Sequence, residues 1–475
     1  MDKNTSGIAV NDSWVVFQTS QGTEVRASLA RITRHLAVLE IYTPSVFLQV
    51  SEVLSDFKLY LNEQPVYSGR AVVQSLIYTG TMLVCEATLE DSWLEIDLLS
   101  TAQLGEKLRA AFINFLHAIQ KEFRIVPEVK LAVADLQLFL LNLRNWFEQL
   151  ELGIRSQPQG DRAQLERDTL RELQEPVLSN LTGLFQRIES AFRLVDPDLR
   201  PPHCAYLKCQ LHPLVLCAPF MYRTFKKPLG YAGDYEMVNM MVRDPYEGSS
   251  LFAKMLNTYF LNIPPAVAHR NRIAYLTQRL ENEALRAERT GRILRIYNLG
   301  CGPAKEIQNF LEMSQLAEHT QFTLLDFNDE TLQYAGKVLT DCKARYHRNT
   351  PIRLLKKSVA QVLKDAAKAG SAGSQYDLVY CAGLFDYLPN VICERLANIF
   401  YEMLSPGGLL IMTNVEASNP SRGWMDYAVE WHLIYRDSKS LAKFVPRKAP
   451  PGSWTIQSEA TGVNLFLEIR KAENG

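Results

Sequence analysis

The chain has 475 residues, 47% of them hydrophobic and 22% charged; that length suits about three domains, and the balance excludes a disordered or collagen-like chain. Its 51 Lys and Arg against 52 Asp and Glu leave a net charge of -1, which argues against a nucleic-acid partner held by overall charge. The eight cysteines show no framework spacing, the opening MDKNTSGIAVNDSW has no basic and apolar leader, and no apolar run reaches about 18 residues, so a cytoplasmic protein without a membrane-spanning segment is expected.

From 7 to 100 the pattern is period-2 runs, punctuated by Gly22, Gln64-Pro65, Ser68-Gly69 and Thr79-Gly80. It predicts a small antiparallel barrel or sandwich of about six strands. From 101 to 199 the periodicity becomes helical, in EKLRAAFINFLHAIQKEF (106–123), LAVADLQLFLLNLRNWFEQL (131–150) and the run from Arg162 to Phe192, with a loop over 156–162. Apolar faces there fit docking within the chain, and also a homodimer formed through the helices or the barrel. Residues 200–289 read as a helical lid and cap. Over 290–475 short apolar strands alternate with helices, at 292–300, 321–328, 351–359, 376–384 and 407–415, followed by a hairpin turning at Thr461-Gly462. Such alternation predicts an α/β domain on a mostly parallel sheet.

Gly300-Cys301-Gly302 ends the first of these strands and opens a helix, where glycines allow close backbone approach to a ligand and the helix start offers free N–H groups. Asp326 stands at the carboxyl end of the second strand, placed to accept hydrogen bonds from ribose hydroxyls. Its structural alternative, capping the following helix, is a task Asn328 can perform as well. Glycine loop and acid together point to an adenosine-bearing cofactor.

NLGCGPAKE, LLDFNDETLQYA, YDLVYCAGLFDYL and SPGGLLIMTNV resemble, in order and spacing, the successive motifs of class I S-adenosylmethionine-dependent methyltransferases. The resemblance implies a Rossmann-like seven-stranded sheet with one antiparallel strand, and S-adenosyl-L-methionine as cofactor. By that likeness Asn298, Gly300, Cys301 and Gly302 line the methionine part, Asp326 holds the ribose, Phe327, Ser358 and Val359 flank the adenine, and Cys381, Gly383 and Leu384 close over the cofactor. Two positions depart from the pattern: Asn298 stands where the family has an acid, and Pro303-Ala304 replaces the third glycine.

Acceptor residues are sought in two other segments. LGYAGDYE (229–236) offers Tyr231 and Asp234 in a glycine-rich, lid-like run. WMDYAVEWHLIYR (424–436), read as a helix, sets Tyr427, Trp431 and Tyr435 on one face with Glu430 alongside, and adds His432 and Arg436. A packing face is the plain alternative. Arg436 could pair an acceptor's carboxylate and the aromatics could pack its chain. A carboxylate acceptor is already ionised at neutral pH and needs no general base; an alcohol or amine needs one, for which Glu430, His432 or Asp234 could serve.

These two segments resemble a narrower group, bacterial proteins related to the synthase of 3-hydroxypalmitic acid methyl ester, a quorum-sensing signal, in which a PilZ-like N-terminal region precedes the methyltransferase. That resemblance implies O-methylation of a fatty or hydroxy-fatty acid carboxylate. The alternatives are N- or O-methylation of another small metabolite, or a non-catalytic sensor of cofactor or cyclic dinucleotide. The barrel resembles PilZ domains in outline only, because Arg26, Arg31 and Arg34 do not keep the arginine spacing of nucleotide-binding members. His203, Cys204, Cys209 and His212 match no common zinc spacing and read as buried core, so no metal is expected.

Overall fold

A computed structural model describes residues 13–43, 46–61, 64–79, 82–90, 125–369 and 375–473. The helix expected over 106–123 and the barrel ends expected at 7–12 and 91–100 lie outside these residues. The chain forms two compact units: Met1–Ala232 with Asp244–Phe260 and Ser421–His432, and Gly233–Arg243 with Leu261–Pro420 and Leu433–Gly475. These units cut across the intervals that composition suggests, because the 200–232 helices and the 421–432 segment pack with the N-terminal residues.

In the first unit β1 (Ser13–Gln18), β2 (Glu24–Ile32), β3 (Leu36–Ile41), β4 (Val53–Leu61), β5 (Gln64–Tyr78) and β6 (Leu83–Leu89) close into a barrel ordered β1-β2-β3-β6-β5-β4, every pair antiparallel. Alternate residues point inward, as Val25, Ala27 and Leu29 do on β2, to join a core with Phe17, Phe57, Tyr67 and Val73. Ser68-Gly69 is not a turn but lies inside the 15-residue β5. Ser68 and Gly69 pair with Lys58 and the buried Phe57 of β4. Helices α1 (Pro127–Arg155) and α2 (Gln159–Phe192) form a hairpin with apolar stripes at Val129, Val133, Leu136 and Leu140, and at Val177, Leu181, Phe185 and Ile188. The loop between them is shorter than expected: Pro158 sits at the N-cap and Gln159–Asp161 already form the first turn. α3 (Arg200–Val215) and α4 (Pro219–Lys226) follow.

α5 (Tyr235–Val242), α6 (Leu251–Leu261) and α7 (Pro264–Glu288) precede the seven strands of the second unit. These are β7 (Leu294–Leu299), β8 (Thr320–Asp326), β9 (Ile352–Lys356), β10 (Tyr376–Cys381), β11 (Leu404–Val415), β12 (Trp454–Ser458) and β13 (Asn464–Arg470), with α8 (Lys305–Met313), α9 (Asp329–Arg345), α10 (Val359–Ala369) and α11 (Asn390–Met403) as crossovers. The order is β12-β13-β11-β10-β7-β8-β9; β13 runs antiparallel to both its neighbours, and the pairs from β9 to β11 are parallel. Succession moves outward from β7 through β9 and then restarts at β10 on the other side. The carboxyl ends of β7 and β10 therefore flank the switch point, the crevice where open α/β sheets bind ligands. Among the described residues no helix is long and apolar enough to cross a membrane.

Two short helices, α12 (Arg422–Ala428) and α13 (Ser438–Ala442), interrupt the chain after β11. The helix expected over 424–436 is thus cut short, and Tyr427, Trp431 and Tyr435 do not share a helical face. Glu430 takes a left-handed φ of 52°, and Ser51 Oγ contacts the backbone of the residues on either side of the break: it donates to the His432 carbonyl at 2.8 Å and accepts from the His432 N–H at 2.5 Å. Those bonds replace the helical ones.

Candidate functional site

The loop after β7 is built for close approach. Gly300, Gly302 and Ala304 have φ of 77°, 51° and 52°, conformations that favour glycine. Gly300 and Cys301 donate their N–H groups to the Leu325 carbonyl on β8, at 2.8 and 3.1 Å, which ties the loop to the next strand. α8 then starts from its N-cap residue Ala304 without a side-chain cap. Cys301 is buried and burial pushes its thiol well up, which suits packing and not nucleophilic attack. Under the loop, the Tyr380 hydroxyl donates to the buried Glu306 at 2.8 Å.

Asn298 sits 1% exposed on β7. Its amide nitrogen donates to the Tyr380 carbonyl at 3.2 Å, while Oδ1 is buried without a donor among the described residues. A buried acceptor left unpaired costs about 1–3 kcal/mol, so it marks a place where a ligand donor is favoured. Asp326 ends β8, 7% exposed, accepting from the Gly302 N–H at 3.3 Å and the Asn328 N–H at 3.1 Å. Burial pushes its carboxyl up to about 6, and these N–H bonds only partly offset that. Asn328, not Asp326, caps α9, through the Thr331 N–H at 2.9 Å; Asp326 keeps acceptor capacity for hydroxyls. Phe327 follows half-buried, and Ser358 and Val359 open α10, Ser358 Oγ accepting from the Gln361 N–H.

At the end of β10, Cys381 is buried, Gly383 has φ 84° and donates to Thr413 Oγ1 at 2.9 Å, and Leu384 lies 3.8 Å from where a Cβ on Gly300 would be. The two strand-end loops therefore meet. A Cβ on Gly383 would come within 2.8 Å of Arg272 Nη1. Arg272, on α7, was not legible in the sequence: it lies in the polar run HRNRIAYL, where nothing separates it from its neighbours. Its guanidinium donates to the ring of His269, and burial holds His269 well below its usual range, so this imidazole is neutral.

Asp234 caps α5, accepting from the Met237 N–H at 2.9 Å. Tyr435 is half-buried. Arg436 is 3% exposed, and its guanidinium donates to Asn390 Oδ1 at 3.0 Å, the Phe385 carbonyl at 2.7 Å, Asn414 Oδ1 at 2.6 Å and the Leu388 carbonyl at 2.6 Å. Every nitrogen is used in anchoring the chain after β10. Beside it Asp386, accepting from the Val415 N–H at 2.6 Å, is pushed up to about 6 by burial.

Tyr231, Glu430 and His432 belong to the first unit. Glu430 accepts from Arg70 Nη1 at 2.8 Å and Lys208 Nζ at 2.7 Å. Burial alone would raise its pKa, but Lys208, Arg70 and Lys227 together hold it well below the usual carboxylate range. Lys227, buried and donating to the Val429 carbonyl at 2.9 Å, is pushed down to about 7 by burial. A carboxylate so paired is a weak base. His432 Nδ1 lies 3.4 Å from Asp426, and its buried Nε2 has no partner among the described residues. Both ring nitrogens of His203 are engaged, with the Leu199 carbonyl and the Val126 N–H, and His212 contacts the Ala428 carbonyl at 2.7 Å. Arg26 stacks its guanidinium 4.0 Å over Trp14.

No family model and no curated protein matches the sequence. Among solved structures, the chain is similar to a possible exported protein from Bordetella parapertussis (TM-score 0.39, 16% identity, 53% of this chain and 86% of that one). It is also similar to magnesium protoporphyrin IX methyltransferase from Synechocystis PCC 6803 with bound SAM (0.32, 13%, 49% and 90%) and to the N-methyltransferase NodS from Bradyrhizobium japonicum WM9 with S-adenosyl-L-homocysteine (0.30, 15%, 52% and 98%). At such scores and identities these are partial likenesses of shape.

Proposed function

We propose that the chain is an S-adenosylmethionine-dependent methyltransferase acting on a small molecule, and that its acceptor is the carboxylate of a fatty or hydroxy-fatty acid. The observation that carries the first part is the pairing of two buried groups at the switch point. Asn298 Oδ1 is an orphan acceptor suited to an ammonium, and Asp326 is a carboxylate with spare acceptor capacity suited to a ribose diol. When bound, the donor would supply a sulfonium methyl group for transfer to the acceptor oxygen, leaving as the neutral thioether. The chain's residues bind and orient: the Gly300–Gly302 loop permits close approach, Leu384 covers it, and the buried surroundings of Cys381 exclude water.

A carboxylate acceptor is favoured by what the candidate bases are doing. Asp234 caps a helix and Glu430 is held ionised by three cations; of the three candidates His432 keeps a ring nitrogen unpartnered among the described residues. An acceptor that is ionised without help asks for none of them. The guanidinium of Arg436 is committed to its own chain, so the acceptor is recognised by other groups.

The test is to incubate the full chain with methyl-labelled donor and a series of 3-hydroxy and unsubstituted fatty acids, then extract into organic solvent. Base-labile label recovered as volatile methanol is expected. Label that survives base would move the assignment to N-methylation or ether formation, and no transfer to any fatty acid would remove the acceptor class.

A further inference from the structure

The arginines of α7 divide by what their guanidinium groups do. Arg270 donates to the Met241 and Leu261 carbonyls, at 3.1 and 2.7 Å, and Arg279 pairs Glu468 at 2.6 Å. Both are structural. Arg272 is different: its hydrogen-bond partner among the described residues is the neutral ring of His269. Among the described residues no carboxylate stands within ion-pair distance of it; Asp386 and Glu306 act on it from further off, and each accepts a hydrogen bond elsewhere, Glu306 from the Tyr380 hydroxyl and Asp386 from the Val415 N–H. Burial lowers its pKa, yet a guanidinium stays charged at any pH the protein experiences. A half-buried cation with no ion-pair partner among the described residues is an expensive arrangement, and it stands against Gly383, where a Cβ would come within 2.8 Å of its Nη1.

The unpaired acceptor lies along the same strand end. Asn298 is in register with Tyr380 and donates to its carbonyl; Gly383 follows three residues later. Among the described residues, one end of β10 is thus flanked by a buried acceptor without a donor and a cation without an ion-pair partner. That is the complement of an α-amino acid zwitterion.

We propose that Arg272 receives the carboxylate at the amino-acid end of the methyl donor while Asn298 Oδ1 receives its ammonium. His269 is a positioning residue: neutral, it holds the guanidinium by its ring without adding repulsion. Gly383, at a φ of 84°, leaves room for the guanidinium: a Cβ there would stand 2.8 Å from Nη1 and shift it. This rests on the donor assignment made above and extends it to a residue outside the glycine-loop motif.

The test uses the full chain and two probes, S-adenosylhomocysteine and its decarboxylated analogue, S-adenosyl-3-thiopropylamine, titrated calorimetrically into wild type, Arg272→Lys and Arg272→Met. Loss of a charge-assisted, bidentate contact should weaken S-adenosylhomocysteine roughly 30-fold in Arg272→Met, with Arg272→Lys between. The analogue, which has no carboxylate, should bind wild type and both variants within about threefold of one another. An equal loss for both probes would make Arg272 a packing residue and overturn the proposal. So would unchanged S-adenosylhomocysteine affinity with a raised acceptor KM, which would give the guanidinium to the acceptor instead. Should wild type bind neither probe, the donor assignment itself fails; should it bind both equally, only the carboxylate contact fails. Thermal melts of the variants check that each is folded.

Discussion

Asp326 and Glu430 are both acids buried to within a few per cent of complete exclusion, and they face opposite surroundings. Asp326 meets only backbone N–H groups, so burial prevails and its carboxyl rises to about 6. Glu430 meets Arg70, Lys208 and Lys227, whose charges outweigh burial and hold it far lower. The difference separates two uses of a buried acid. A carboxylate saturated by cations is a structural pin, and one with unused lone pairs beside a glycine loop is a place for a ligand.

Substitutions can break that contrast, beginning with the largest effect. Glu430→Gln should take the buried carboxylate from Lys208 and Lys227, Arg70 keeping Glu90 at 3.0 Å, and cost about 3–5 kcal/mol in chemical denaturation, whereas Asp326→Ala should change stability by less than about 1 kcal/mol because it removes a desolvated group. Equal losses would erase the distinction. Arg436, saturated like Glu430, should behave as a pin in the second unit. Arg436→Ala should cost roughly 3 kcal/mol as buried carbonyl and amide acceptors lose their donor. A folded, undiminished variant with a raised acceptor KM would instead return it to acceptor recognition.

A smaller effect is expected at Gly423. Glu189 caps the start of α12 by accepting from the Gly423 and Trp424 N–H groups, at 3.1 and 2.6 Å, and a Cβ at 423 would sit 2.3 Å from its Oε2. Gly423→Ala should therefore cost about 1–3 kcal/mol, and Gly423→Ala paired with Glu189→Ala should cost less than the two separately. Additive losses would show that the contact is not the cause.

The smallest effect is a pH dependence. Asp326 has a raised pKa, so it takes up a proton as pH falls through about 6. A ligand whose hydroxyls donate to the ionised carboxylate should bind progressively less well below that pH, by at most about tenfold per unit. Asp386 is also pushed up to about 6, so the control is Asp326→Asn, whose affinity should be flat across pH 5–7. A profile that Asp326→Asn leaves unchanged would assign the titration to Asp386.

Much of the second unit was legible because its signals are local. Apolar runs at 292–300, 321–328 and 376–384 became β7, β8 and β10, and a glycine after one strand with an acid after the next already marked the switch point. The period-2 pattern likewise gave the barrel. What misled was local chemistry overridden from a distance. Ser68-Gly69 has turn residues, yet pairing with Lys58 and Phe57 on β4 keeps it in a strand. The 424–436 segment has helical spacing, yet Ser51, Arg70 and Lys208 take its backbone and its acid away from the helix. Arg272 left no signal at all, since its meaning lies in having no ion-pair partner among the described residues, and only a folded chain reveals that.

Calorimetric titration of S-adenosylhomocysteine into the full chain and into Asp326→Ala tests the central assignment most directly. Wild type should bind with one site per chain, and Asp326→Ala, folded and equally stable, should bind about 100-fold more weakly as the diol loses its acceptor. Identical affinities for the two proteins, or no heat from wild type, would contradict a donor site at the carboxyl ends of these strands.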